Sequence, residues 1–354
     1  MADNEFLSAC VADIRIDAHA EGCKLTDFSF HGFGSNSVNP TSSSITDVIS
    51  VTIRKVDTVC PEPTADHHFS ASVPTSPEAI GYDWLLQTFA DGTEVITVTY
   101  HQGHELQAAQ IRIRDSVATL LIAPRYTKTP SSEANASFNS ADSQSSSESK
   151  ELTELCRIRE AKVLADAPVD PYIYPLYSLF LSRILLRRGG FLLHSSAVCV
   201  GIGKGMVFTA PSGTGKSTIA NIMRQKGAVI INDDIVAIRL PHGSDSLPKA
   251  YNIPMPHYKQ KPKSTTIRRL YNIWQSPENT ISHLSKASAL SAVLTNVIQQ
   301  PLDAESVRLM TQNVLRFIEL VPIARLGFKP DTEVIDLLRI DLCSKSPKPA
   351  LRQQ

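Results

Sequence analysis

The spacing of apolar residues divides the chain into a strand-rich N-terminal part and a C-terminal part in which strands and helices alternate. In the first part, β-branched and other apolar residues alternate or cluster in VISVTIRKV (Val48–Val56), EVITVTYHQ (Glu94–Gln102) and QIRIRDSVATLLIA (Gln110–Ala123). Stretches typical of turns separate these segments, and a period of two is typical of half-buried strands. We therefore predict a small β-rich N-terminal region over residues 1–128.

Residues 129–150, TPSSEANASFNSADSQSSSESK, interrupt this pattern because they are rich in serine and nearly free of branched apolar residues. Such a segment buries too little apolar surface to offset the entropy that it would lose on ordering. We predict a flexible linker or insertion here, followed by a second domain over residues 151–345.

The second domain opens with a predicted helical stretch from Glu151 to about Leu164 and an apolar segment, YIYPLYSLFLSRILL (Tyr172–Leu186). The apolar segment is interrupted by Pro175 and Arg183 and is too short to span a bilayer. We expect it to form a buried helix.

Strands and helices then alternate. The pattern predicts strands at Phe191–Val200 and Met206–Thr209, joined by the tight turn GIGKG, and a short strand at Ala228–Ile231. Apolar residues at three- and four-residue spacing predict two amphipathic helices, Ser282–Gln300 and Ser306–Val321. The overall prediction is an α/β protein with a β-rich N-terminal region.

Composition excludes several classes of function. The 354 residues include 35 acidic and 35 basic ones, so no net charge draws the chain to nucleic acid or to a membrane surface. The N-terminal residues MADNEFLSACVADIRID do not show the basic region and apolar run of a signal peptide. The six cysteines have neither C-x-x-C spacing nor matching histidines, which argues against a zinc site or a disulfide framework. A cytoplasmic protein fits these features best.

The segment APSGTGKS (Ala210–Ser217) has the spacing of a phosphate-binding Walker A loop, with alanine in place of the first glycine. Its glycines allow backbone turns that direct N–H groups towards phosphate oxygens, and the helix that follows adds its positive N-terminal end. Lys216 would reach the β- and γ-phosphates, and Ser217 would coordinate Mg²⁺. The predicted nucleotide-binding residues are Pro211, Ser212, Gly213, Thr214, Gly215, Lys216, Ser217 and Thr218.

Two adjacent aspartates, Asp233 and Asp234, follow the predicted strand at Ala228–Ile231. Open α/β sheets bind ligands at the carboxyl ends of their strands, so one helix and one strand would return these carboxylates to the phosphate-binding loop. One would hold Mg²⁺ and the other would accept a proton from an attacking hydroxyl. We assign Asp234 to the metal with Ser217, while the division of roles between the aspartates stays open at this point.

His194 lies in the strand LLHSSAV, on the same face as Ser196 and Val198. A single histidine in a strand is more often a core residue with satisfied hydrogen bonds than a catalytic group. Next to paired carboxylates, however, an imidazole would hold the proton affinity of the base near neutrality, so a catalytic role for His194 stays open beside the predicted catalytic residues Asp233, Asp234 and Lys216.

The succession LLHSSAV, VFTAPSGTGKST and IINDDIVAI resembles the kinase domain of HPr kinase/phosphorylase and its relatives, which share the P-loop fold of phosphoenolpyruvate carboxykinase. The fragments IWQSPENTISHLS and VPIARLGFKPDTEVIDLL are similar to serine kinases encoded beside lasso-peptide biosynthesis enzymes. The resemblance covers roughly residues 170–340. It implies a P-loop kinase fold and an active site at His194, Lys216, Ser217, Asp233 and Asp234. HPr kinases are hexameric, so a homo-oligomer is among the expectations.

The chain differs from HPr kinases at Thr218, where they carry an acidic residue, and it has no counterpart of their C-terminal signature rich in glycine and arginine. Neither HPr itself as the acceptor nor the reverse, phosphate-driven reaction is therefore expected. The function that we predict is an ATP- and Mg²⁺-dependent kinase that phosphorylates a serine hydroxyl of a peptide or protein, or else a small metabolite. The alternative is a non-catalytic module in which nucleotide binding controls a partner.

The segment PMPHYKQKPK (Pro254–Lys263), followed by Arg268 and Arg269, is the densest basic run in the chain. It is interpreted either as a solvated loop or as a mobile loop that brings positive charge over the phosphates when the acceptor binds.

Overall fold

The computed structural model describes residues 5–21, 47–56, 59–62, 64–74, 81–101, 108–123, 176–243, 246–254, 260–298 and 303–344. The chain forms two compact units that divide between Phe180 and Leu181. The predicted linker at residues 129–150 and the predicted helix at residues 151–164 lie outside the described residues.

The first unit contains one eight-stranded mixed sheet with the strand order β1-β2-β3-β8-β7-β6-β5-β4. Strand β3 is parallel to both β2 and β8, and the other neighbours are antiparallel. Its strands are β1 (Glu5–Val11), β2 (Ile14–Glu21), β3 (Asp47–Lys55), β4 (His67–Val73), β5 (Tyr82–Thr88), β6 (Glu94–Tyr100), β7 (Ala108–Arg114) and β8 (Val117–Ala123). The prediction of a β-rich N-terminal part is confirmed.

Two hairpins in this sheet turn at residues other than glycine. The segment predicted as one run over Gln110–Ala123 is two antiparallel strands, because Asp115 adopts a φ of 53° and reverses the chain between β7 and β8. Ala12 and Asp13 adopt φ of 54° and 57° between β1 and β2. Such left-handed turns match the twist of a hairpin, but here the sequence lacks the usual Asn-Gly or Asp-Gly signal.

The second unit contains a second mixed sheet. Its strands are β9 (Gly190–Cys199), β10 (Gly205–Thr209), β11 (Val229–Asn232), β12 (Ile235–Arg239), β13 (Lys249–Tyr251), β14 (Ser264–Gln275), β15 (Thr280–His283) and β16 (Ile323–Phe328). The described part of the chain contains five helices: α1 (Leu176–Arg187), α2 (Lys216–Gln225), α3 (Lys286–Leu294), α4 (Ala304–Leu320) and α5 (Glu333–Cys343). Together the two units make a mixed α/β protein.

Helices cover both faces of this second sheet. On one face, Phe208 of β10 and Tyr271 of β14 pack in a core with Ile219 of α2 and Val334 of α5. A separate core lies on the other face, where side chains of β9, β10 and β12 pack against α3 and α4. Successive side chains of a strand point to opposite faces, so β9 and β10 contribute residues to both cores.

Strand β10 lies between two partners. It pairs antiparallel with β9 and parallel with β14, and β9 pairs in turn with β11 and β12. The pairings β10–β9, β9–β12, β12–β13, β13–β14 and β14–β10 form a closed ring. The strand that leads into APSGTGKS is therefore held on both edges.

Most of the elements predicted after the serine-rich segment are present in the described residues, with shifted ends. The apolar segment forms the buried helix α1 in its described part, and the two strands around GIGKG are β9 and β10. The helix predicted over Ser282–Gln300 is too long: Ser282 and His283 belong to β15, and α3 starts only after Ser285, whose side chain accepts a hydrogen bond from the Ser288 N–H. This capping bond fixes the start of the helix.

In the described part of the chain, no helix combines the length and the apolar character needed to cross a membrane.

Candidate functional site

The loop between β10 and α2 has the conformation that its glycines allow. Gly213 and Gly215 have φ of 76° and 110°, which side chains strongly disfavour. A Cβ at Gly215 would lie 2.8 Å from Cζ of the buried Phe328, so this position also needs glycine for a close approach. No described atom lies within 4 Å of the place that a Cβ at Gly213 would take. The loop is thus packed against the core at one glycine and open at the other.

Lys216 begins α2 and is only 6% exposed. Its ammonium group donates hydrogen bonds to the carbonyl oxygens of Ala210, at 2.9 Å, and Pro211, at 3.0 Å. Burial lowers the pKa of Lys216, and the nearby charges of Asp234 and Asp233 oppose this effect. The loop therefore holds a buried ammonium group at the start of α2.

The other predicted loop residues lie at the surface. Thr214 is half-buried and donates a hydrogen bond to the carbonyl oxygen of Pro211 at 2.9 Å. The exposed residues are Pro211, Ser212, Gly213, Ser217 and Thr218. The hydroxyl-bearing first turn of α2 is accordingly open to a ligand.

The turn between β11 and β12 presents the two aspartates. Asn232 holds its backbone: its side-chain NH₂ donates to the carbonyl oxygen of Ile235 at 2.5 Å, and its side-chain oxygen accepts from the Asp233 N–H at 2.9 Å. The N–H of Ser195 donates to the carbonyl oxygen of Asp234 at 2.9 Å, which fixes the turn against β9.

The two aspartate side chains have different surroundings. Asp233 is half-buried, and its Oδ1 accepts a hydrogen bond of 2.5 Å from the hydroxyl of Ser196. Asp234 is 56% exposed at its side chain, and its Oδ1 lies 3.5 Å from Nε2 of His194. One carboxylate is thus fixed by a buried hydroxyl, and the other lies beside an imidazole at the surface.

His194 is directly opposite Ile235 in the β9–β12 pairing, one residue beyond the aspartates. Burial lowers its pKa, the charge of Lys216 lowers it further, and the charge of Asp234 opposes both. The carbonyl oxygen of His194 accepts a hydrogen bond from the Thr209 hydroxyl at 3.0 Å, which links β9 to the end of β10. The structure therefore brings His194, Lys216, Asp233 and Asp234 into one electrostatically coupled group, which we call the site cluster.

The donor groups fit a nucleotide with a bound magnesium ion. Mg²⁺ prefers oxygen ligands, and the hydroxyl of Ser217 and the carboxylate of Asp234 are both exposed oxygen donors. Within the described residues, no three side chains of His, Cys, Asp or Glu are grouped so that they could hold a metal ion. A metal here would accordingly rely on few protein ligands and on the phosphates, as is usual for Mg²⁺.

Three further residues shape this site and were missed from the sequence: Ser196, Asn232 and Phe328. For Ser196 the alternation in LLHSSAV already placed its side chain on the His194 face. Its partner Asp233 depends on cross-strand pairing, which the sequence pattern does not specify. The Phe328 contact joins residues far apart in the chain.

The basic run after Pro254 is only partly described, since His257 and Lys259 lie outside the described residues. Lys261 is exposed, whereas Arg269 is 5% exposed and belongs to β14. Arg269 therefore does not contribute to a solvated basic loop.

No protein-family model matches the chain, and no curated protein is significantly similar to it in sequence.

Proposed function

We propose that this protein is an ATP- and Mg²⁺-dependent kinase whose second unit has the P-loop fold of HPr kinase and phosphoenolpyruvate carboxykinase. The observation that carries the proposal is the geometry of the site cluster. A buried lysine begins a helix after a glycine-containing loop. Two adjacent carboxylates lie in the turn between β11 and β12, one bonded to Ser196 and the other 3.5 Å from His194, whose carbonyl oxygen is bonded to Thr209 at the end of β10. A phosphate-binding loop alone would bind a nucleotide, but the carboxylates and the imidazole supply groups for a reaction.

Residues 211–218 bind the triphosphate in this proposal. The exposed loop and the start of α2 offer backbone N–H groups and the positive end of a ten-residue helix to phosphate oxygens. The ammonium of Lys216 moves from the carbonyl oxygens of the loop to the β- and γ-phosphates. Its low exposure strengthens this interaction because the local dielectric constant is lower than that of water.

Ser217 and Asp234 would hold the magnesium ion. When bound, Mg²⁺ would neutralise negative charge on the phosphates. Asp234 suits this role because its carboxylate is the more exposed of the two.

Asp233 accepts the proton of the acceptor hydroxyl. Its Oδ1 is bound by Ser196, which leaves Oδ2 for that proton. As the proton moves to Asp233, the acceptor oxygen bonds to the γ-phosphorus and the bond from that phosphorus to the β–γ bridging oxygen breaks, which releases ADP. Nε2 of His194 lies 3.5 Å from Oδ1 of Asp234, and burial and the charge of Lys216 lower the pKa of the imidazole, which favours its neutral form.

The acceptor is a hydroxyl compound, and a serine of a peptide or protein is our first choice, with a small metabolite second. The test is mass spectrometry of the wild-type protein and Asp234→Asn after incubation with ATP, Mg²⁺ and a fractionated extract of the cells that make it. We expect one fraction to gain the mass of a phosphoryl group with the wild type only. ATP binding by both proteins with no phosphorylated product would contradict the kinase and favour a nucleotide-binding module that controls a partner.

A further inference from the structure

Ser196 is a buried polar residue on the strand that supports the site cluster. Its residue exposure is 0%, and its side chain lies on the same face of β9 as that of His194. Its hydroxyl donates to Oδ1 of Asp233 at 2.5 Å and lies 3.5 Å from the carbonyl oxygen of the same residue. A buried hydroxyl that bonds to a carboxylate makes a strong, charge-assisted hydrogen bond.

This hydrogen bond fixes the one part of Asp233 that the turn leaves free. Asn232 and Ser195 already hold the backbone of the turn. Ser196 restrains rotation of the Asp233 carboxylate about its side-chain bonds, because rotation would break the hydrogen bond to a residue that lies in a strand. While this bond is intact, the position of Oδ1 also limits the direction of Oδ2.

We propose that Ser196 is a positioning residue that orients Asp233 so that Oδ2 faces the hydroxyl acceptor. The inference rests on the proposed kinase function and extends it to a residue that touches neither nucleotide nor acceptor. Ser196 acts before the transfer and exchanges no proton during it. The proton of the acceptor hydroxyl goes to Oδ2 of Asp233, while the Ser196 proton stays on its own oxygen.

The neighbouring Ser195 provides a matched control. It is equally buried and lies in the same strand, but its side chain points to the opposite face and its hydroxyl donates to the carbonyl oxygen of Leu193 at 3.2 Å. Loss of either hydroxyl removes one buried hydrogen bond, yet only the loss at Ser196 affects a carboxylate of the site.

The first experiment measures phosphate release from γ-labelled ATP with Mg²⁺, with water as the acceptor, for Ser196→Val, Ser196→Thr and Ser195→Ala. Valine and threonine have nearly the same shape, so they differ at this position in the hydroxyl alone. We expect kcat to fall about 10²-fold in Ser196→Val because the base is misplaced. KM for ATP should stay unchanged, Ser196→Thr should recover most of the rate, and Ser195→Ala should match the wild type.

The second experiment reports on the hydrogen bond without relying on turnover. The free energy of unfolding is compared for Ser196→Val and Ser196→Thr in the wild-type background and in Asp233→Ala. We expect the valine variant to be the less stable of the two only when Asp233 is present, since the hydroxyl then has its partner.

The outcomes separate the inference from the proposed function. Equal loss of rate in the valine and threonine variants would assign Ser196 to packing and overturn the inference, as would a normal kcat in Ser196→Val. If the stability difference between Ser196→Val and Ser196→Thr were the same with and without Asp233, the two side chains would not be coupled. This result would overturn the inference about Ser196 without contradicting the kinase. If no fraction of the extract gains phosphate with the wild-type protein, the kinase itself is contradicted, whereas the unfolding experiment still decides whether Ser196 and Asp233 are coupled.

Discussion

Two groups of charged side chains in the second unit differ in how far their carboxylates are exposed to solvent. The first, which we call the anchor cluster, consists of Arg269 and Tyr271 of β14 with Asp341 and Ser344 at the end of α5. The side chains of Arg269 and Asp341 are 7% and 11% exposed, and their Nε and Oδ2 atoms lie 3.1 Å apart. Arg269 also donates to the carbonyl oxygens of Asp341 and Ser344.

The anchor cluster is closed to ligands. Tyr271 donates to Oδ2 of Asp341 at 2.7 Å, and its pKa is raised, chiefly by burial, so the phenol remains a donor. In the site cluster, by contrast, Asp233 is half-buried and the side chain of Asp234 is more than half exposed. The difference in exposure indicates that the anchor cluster stabilises the fold, whereas a ligand can reach the carboxylates of the site cluster.

The strongest test of this contrast is Lys216→Met. Under the proposed function we expect turnover to fall at least ~10³-fold, equivalent to about 4 kcal/mol, because a preorganised charge on the transferred phosphoryl group is lost. The free energy of unfolding should change little, since methionine fills the same space and removes the cost of burying the ammonium. Lys226→Met, at the exposed end of the same helix, is the control and should keep full activity. Phosphate release and chemical denaturation measure both effects.

Asp341→Ala should give the opposite result. The variant removes the carboxylate that lies 3.1 Å from the buried guanidinium of Arg269, so we expect a loss of about 3 kcal/mol in the free energy of unfolding. Asp336→Ala is the matched control on the same helix: its partner Arg339 lies 3.6 Å away, both side chains are exposed, and a loss of about 0.5 kcal/mol or less is expected. Equal losses in the two variants would contradict the anchoring role.

Gly215→Ala should affect the loop that carries Lys216. The added methyl group meets Phe328 in a backbone conformation that alanine rarely adopts, so we expect a loss of about 2 kcal/mol in stability. Gly213 has a similarly disfavoured backbone conformation, but no described atom lies within 4 Å of the methyl group that Gly213→Ala would add. A loss of about 1 kcal/mol in stability is therefore expected. The double variant Gly215→Ala/Phe328→Leu should recover part of the loss. A larger loss of stability in Gly213→Ala than in Gly215→Ala, measured by chemical denaturation, would contradict the role given to the Phe328 contact.

The smallest effect is electrostatic and concerns His194. Its pKa lies below the ordinary 6.5 because of burial and then Lys216, so the folded protein binds fewer protons than the unfolded chain around that pH. Protonation of His194 therefore lowers the free energy of unfolding as the pH falls below 6.5, and His194 has no such effect well above that pH. An NMR titration of the imidazole should show the pKa rising in Lys216→Met and falling further in Asp234→Asn. His194→Asn should lose this part of the pH dependence of unfolding, and opposite shifts would show that the cluster is not coupled as described.

Local sequence patterns predicted the parts of the site that depend on neighbours in the chain. The strand, turn and helix around Lys216 are present, and α2 is followed by Gly227 with a φ of 90°, as a helix end requires. The aspartates come directly after β11, as the pattern indicated. These features depend on the spacing of apolar residues and on the positions of glycines, which determine the backbone conformation only of nearby residues.

The sequence pattern does not predict contacts between segments that are distant in the chain. The pairing of β9 with β12 brings His194 and Ser196 to the aspartates, but register depends on the assembled sheet. The burial of Arg269 could not be inferred from its place near a basic run, because its partner is on α5. The division into an N-terminal region over residues 1–128, a linker over residues 129–150 and a second domain over residues 151–345 stays a prediction.

The position of β10 has a consequence for how the protein folds during synthesis. Its antiparallel partner β9 precedes it by one short turn, but its parallel partner at residues 267–272 of β14 is made much later. Closing a long loop costs entropy before the pairing compensates for it. The loop at residues 210–217 is therefore made before its support is complete, and a nascent chain that has not yet reached β14 contains the whole APSGTGKS segment without the strand that pairs with the second edge of β10.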